Sequence, residues 1–232
     1  MNRHIRESAE RVRKEDRLGS ARIALVVGGG WSGILASPEA FGYDRVLYFD
    51  VVAEFKRKTI ASSIDCVPLA EGETLTTLIN GTATDEVKKA LADQPGVNVR
   101  SGLAQVPQIG AIAAKKLVQS DAFRTLITER IIDPLRIIHN GTIGHVQIDV
   151  FASTGGGTGG PGASITSHGS AKVLLELLGV TVELRLHRLG STTYIGLGDR
   201  VHINTAACIT EDLWFACAAH RHAKEDRQLL LT

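Results

Sequence analysis

Gly155-Gly-Gly-Thr-Gly-Gly-Pro-Gly162 follows His145-Val-Gln-Ile-Asp-Val-Phe151 almost directly, and this junction decides the fold. The seven residues before it alternate well enough to form a strand. Beyond it, Ala171, Val173, Leu174 and Leu177 support a helix that runs to Leu178. Ordered patterns abut both ends of the glycine run, so a turn between strand and helix is the better reading than a flexible linker.

The same unit recurs upstream. Arg22-Ile-Ala-Leu-Val-Val27 is an apolar run of branched residues closing on Gly28-Gly29-Gly30, the pattern of a buried strand feeding a tight loop. A helix is expected from about Trp31. Arg45-Val-Leu-Tyr-Phe-Asp50 repeats the buried strand and ends on an acid, which makes the first third a parallel strand, helix, strand unit. From Val51 to Gly96 only connection is read, with a threonine-rich stretch and a short helical piece from Asp85 to Ala92. Val97–Arg100 predicts a strand, Pro107–Val118 a helix, and Phe123–Ile138 a helix kinked or divided at Pro134.

Val180-Thr-Val-Glu-Leu-Arg-Leu186 alternates cleanly, as an outer strand with one wetter face does. After glycine-rich residues 190–198, a last helical region passes through Asn204, Ile209, Leu213 and Phe215. Alternating strands and helices predict an α/β fold, a Rossmann-like three-layer sandwich with a mostly parallel sheet. Ligands of such sheets bind in the crevice outside the carboxyl ends of the strands. One domain is expected over residues 21–216, preceded by a charged extension at 1–20 and followed by a polar tail at 217–232.

Composition sets the frame. The chain has 232 residues, 44% of them hydrophobic, and a net charge of +1, so nucleic acid and anionic membranes are not expected as main partners. Three cysteines give no disulfide framework, and a reducing, cytoplasmic setting is the simpler expectation. Neither a bilayer-length apolar run nor a signal core is expected.

Glycine loops after strands bring backbone amides close to an anion, and a following helix adds its positive end. Gly28, Gly29, Gly30, Trp31, Ser32 and Gly33 form one such candidate. Gly155, Gly156, Gly157, Thr158, Gly159 and Gly160 form the other, with the Thr158 hydroxyl as an extra donor. Gly28, Gly30 and Gly33 also satisfy G-x-G-x-x-G, with Asp50 at the end of the next strand. An FAD- or NAD-binding oxidoreductase is therefore the rival reading. Trp31 is expected to bury against the sheet instead of stacking on a ligand. Cys208, Cys217, His220 and His222 have spacing for part of a zinc shell but no paired C-x-x-C, and no metal site is assigned to them.

Gly155-Gly-Gly-Thr-Gly159 resembles the G-G-G-T-G nucleotide signature of the tubulin and FtsZ superfamily. Pro107-Gln-Ile-Gly-Ala-Ile-Ala-Ala114, preceded by Gly102, Ala104 and Gln105, is similar to that family's N-P-E-V-G-x-x-A-A loop, which approaches the terminal phosphate. First glycine loop, acid-ended strand, proline-glycine loop and G-G-G-T-G loop arrive in the family's order. The resemblance implies a GTP-binding domain. Its site would comprise Gly28 to Gly33, Asp50, Ala104, Gln105, Pro107, Gly110 and Gly155 to Gly160, with Asp199, Arg200 and Asn204 near the ribose and base. GTP or GDP with Mg²⁺ is the implied ligand.

Two departures stand out. Pro161 replaces the last glycine of the signature, a change the first turn of a helix tolerates. The family also continues into a central helix, an acidic catalytic loop and a second domain, none of which the sequence contains. The resemblance therefore implies GTPase activity only when completed by a neighbouring subunit or a missing region, in a self-associating or scaffold protein.

Overall fold

A computed structural model of the chain describes residues 19–80, 83–92, 99, 106–189, 199 and 201–213. Strand β1 (Gly19–Val27) runs through its centre. Ala21, Ile23, Leu25 and Val27 point to one face and Ala24 and Val26 to the other, all fully buried. A strand covered on both faces needs this continuous apolar run instead of alternation.

β2 (Arg45–Asp50) and β4 (Ile143–Ser153) flank β1, β3 (Asp65–Pro68) lies outside β2, and β5 (Thr181–Leu189) outside β4. All four pairings are parallel, giving the order β3-β2-β1-β4-β5. The expected Rossmann-like α/β sheet is therefore present, flanked by helices. Val27 pairs with Phe49 on one side and with Ala152 on the other. That register sets Gly28, Asp50 and Ser153 level at the carboxyl edge. It is also where strand order reverses, the position at which open sheets of this kind leave a crevice.

On one face lie α3 (Leu75–Asn80), α4 (Asp85–Ala92), α5 (Pro107–Val118), α6 (Asp121–Ile127), α7 (Asp133–Ile138) and α8 (Pro161–Leu178). On the other lie α1 (Ser32–Ala36) and α2 (Val52–Arg57) with Ile60, Ala61 and Ile64. Small residues let α5 and α8 approach closely: a Cβ at Gly162 would lie 3.6 Å from the Gly110 carbonyl oxygen and 3.8 Å from Ala114 Cβ. Residues 201–213 form a last helix, α9.

Three expectations need correction or refinement. The segment read only as connection contains α3 and the edge strand β3, in register from Leu47–Asp65 to Asp50–Pro68. The helix after the first glycine loop lasts five residues and stops before Ser37-Pro38. The stretch around Pro134 divides as expected, but through a π-helical turn at Thr128–Ile132. The Arg130 carbonyl would take its α-helical bond from residue 134, which as proline has no N–H; Arg45 Nε donates to it instead, at 3.0 Å. The strand expected at 97–100 falls outside the described residues, save Val99, which lies in a turn.

Candidate functional site

The two glycine loops meet at the carboxyl edge of β1 and β4. Gly28 takes φ +77°, a left-handed conformation open to glycine at little cost, and a Cβ there would lie 3.2 Å from the Gly159 nitrogen. Gly159 is wedged more tightly: its Cβ would lie 2.5 Å from the Ser153 carbonyl oxygen and 3.0 Å from that of Val27. A Cβ on Gly110 would overlap the Gly157 carbonyl. The Pro107 to Gly110 turn thus sits directly under the second loop, and Pro107 occupies the start of α5, where its missing N–H costs nothing.

Four of the five residues Gly155 to Gly159 are buried, Gly156 being half-buried. Their backbone N–H groups nonetheless donate no hydrogen bond to any described residue, and neither do those of Gly29 and Gly30. Buried amides are almost always paired, and a row of successive backbone N–H groups is the kind of feature that can bind an anion. The 18-residue α8 begins immediately beyond, with Pro161 in its first turn and no side-chain cap, and contributes the positive end of its dipole. The five-residue α1 offers no comparable dipole.

The loop is held from behind. Asp50, 3% exposed, accepts from the Thr158 hydroxyl (3.1 Å), the Val51 N–H (2.9 Å) and the Tyr48 hydroxyl (2.9 Å). Burial raises the Asp50 carboxyl above its ordinary range, against the opposing pull of those three donors. Arg188, at the end of β5, donates to the carbonyls of Gly159 (2.6 Å) and Gly160 (2.9 Å) and makes a two-point ion pair with Asp212 of α9. Those two carbonyls are thereby held toward Arg188. The Asn204 amide donates to the Gly155 carbonyl at 3.2 Å, and Thr154 joins Thr205 at 2.9 Å.

The remaining sequence candidates divide. Ser32 and Gly33 are exposed, and nothing lies within 4 Å of a Cβ at Gly33. Trp31 is half-buried and packs against the sheet, edge-on to Phe151 with centroids 4.9 Å apart, and its buried indole N–H has no partner among the described residues. Asp199 is exposed; Ala104, Gln105 and Arg200 lie outside the described residues. Asn204 meets the loop backbone. Arg188 and Asp212 were not singled out from sequence, and only the fold brings them to the loop.

A Mg²⁺ ion finds no ready ligand set here. Among the described residues no group of three metal-binding side chains exists, and both Asp50 oxygens are already engaged. Mg²⁺ accompanying a nucleotide would rest on phosphate oxygens and water.

No protein-family model matches the chain, and no curated protein matches it. Among solved structures, an empty FtsZ dimer of M. jannaschii superposes with a TM-score of 0.39 at 13% identity, covering 90% of this chain and 46% of that one. The chain thus spans about half the length of that protein, and a superposition this loose carries no argument about function. No helix among the described residues is long and apolar enough to cross a membrane.

Proposed function

We propose that the chain binds a nucleotide by its phosphate tail, as a GTP-binding domain of the tubulin and FtsZ type. The observation that carries this reading is the row of amides from Gly155 to Gly159, at the carboxyl edge of the sheet, that donate to no acceptor among the described residues. Thr158 is held in place by Asp50, the first loop packs against Gly159, and the Pro107 to Gly110 turn lies beneath. Asp50 contributes through Thr158, and Asn204 through the Gly155 carbonyl. The order of the three loop motifs supports guanine nucleotide over other phosphates. Hydrolysis, in this reading, takes its water-activating acid from a neighbouring subunit or another region, so the isolated chain binds with little turnover and its output is association.

The dinucleotide alternative needs Asp50 free for a ribose hydroxyl, and its engagement with Tyr48, Val51 and Thr158 weighs against it. Mass spectrometry of nucleotide released from the native protein, with thermal shifts in GTP, ATP and NAD, separates the two. Guanine nucleotide and a GTP-selective shift support the proposal; NAD or flavin overturns it.

A further inference from the structure

The first glycine loop carries a cation that no sequence motif marks. Lys58 follows α2 in extended conformation, and the chain beyond it is fixed by the Ala61 N–H donating to the Leu35 carbonyl at 2.8 Å. From there its side chain runs back over Gly29. A Cβ at Gly29 would overlap Lys58 Cε and lie 2.7 Å from Nζ. Only glycine leaves room for the ammonium at this point.

Lys58, Lys88 and Lys116 are the half-buried lysines among the described residues. Lys88 pairs with Asp85 and Lys116 with Glu73. Lys58 has neither an ion pair nor a hydrogen bond among the described residues, and the neighbouring Glu54 is taken by Arg57. It lies against Gly29, whose N–H, like that of Gly30, donates to no acceptor among the described residues. A half-buried ammonium with no acceptor among the described residues lacks the counter-charge that would make the position favourable. An anion at the loop supplies it.

We infer that Lys58 is a phosphate-binding residue, placing its ammonium on the phosphate that lies over Gly29. This rests on the proposed nucleotide reading and adds to it a side-chain source of positive charge at the first loop. Gly29 is then glycine on account of Lys58, and Gly29→Ala acts by pushing the flexible side chain aside without disturbing the fold.

The test is titration of GTP and GDP, and competition by inorganic tripolyphosphate, with the parent, Lys58→Met, Lys58→Arg and Gly29→Ala. Charged hydrogen bonds of this kind correspond to about tenfold or more in affinity. Lys58→Met should lose that much for GTP and GDP, and should no longer release nucleotide to tripolyphosphate at the parent's concentration. Lys58→Arg should recover part of the loss, and Gly29→Ala should resemble Lys58→Met, all with melting temperatures near the parent's. A parent that binds GTP and a Lys58→Met that binds it equally well would overturn the inference and leave the nucleotide reading standing. A parent that binds neither nucleotide nor tripolyphosphate would sink both.

Discussion

The Thr158 hydroxyl donates to Asp50 Oδ1 at 3.1 Å, joining the end of β2 to the second glycine loop across 108 residues. The acid is the hub of a small buried network, and its removal would orphan Tyr48, Val51 and Thr158 together. Asp50→Ala is expected to cost about 1–3 kcal/mol, the range for leaving buried donors unsatisfied, and to loosen nucleotide binding through Thr158. Chemical denaturation and titration of the variant measure both. An unchanged stability would remove Asp50 from its bracing role.

Asp50→Asn isolates the charge. Burial raises the folded-state value of this carboxyl above its ordinary 3.8, so its contribution to stability is complete below 3.8 and is lost as pH rises through the elevated value. The Asn side chain keeps an acceptor for Thr158 and Val51 and can donate to the Tyr48 oxygen. The variant should therefore lack this pH-dependent loss, and its stability should fall less than the parent's between acid and neutral pH. Parallel curves would contradict the assignment.

Gly33→Ala and Gly159→Ala should behave oppositely. Nothing lies near a Cβ at Gly33, and the change should stay within about 0.5 kcal/mol, as exposed substitutions do. At Gly159 the added methyl meets the backbone of Ser153 and Val27, and overpacking of this kind costs about 1–3 kcal/mol. Equal melting temperatures would mean that Gly159 is not wedged against the ends of β1 and β4 as described.

The strands were legible where burial is two-sided or alternation clear: β1, β2, β4 and β5 each announce themselves. β3 did not, because a four-residue edge strand with one well-buried residue, Val67, carries no periodicity. The glycine loops were readable because turns and close backbone approach restrict residue type. Lys58 and Arg188 were not, since a long side chain meets its target through space and leaves no spacing in the sequence.

The Arg188–Asp212 pair couples the second loop to α9. Arg188 and Asp212 side chains are 13% and 28% exposed, shielded enough for the pair to matter. Arg188→Ala should destabilise by about 1–3 kcal/mol, and a double-mutant cycle with Asp212→Ala should show a coupling above about 0.5 kcal/mol. Additive losses would mean that α9 does not position the loop.

Cys208 is buried, and burial pushes its thiol up to about 11, away from the thiolate that zinc needs. Elemental analysis of the native protein should find no stoichiometric zinc, and a thiol reagent should reach exposed Cys66 well before Cys208. One zinc per chain would overturn this reading of the cysteine and histidine residues near the C-terminus.

The most direct measurement is calorimetric titration of GTP into the parent and into Gly157→Val. A valine side chain at this buried position stands in the row of amides proposed to hold phosphate, so GTP should bind the parent and its binding heat should vanish in the variant. Circular dichroism accompanies the titration to verify that the variant is folded. A folded Gly157→Val that binds GTP as tightly as the parent, or a parent that binds NAD but not GTP, would contradict the account.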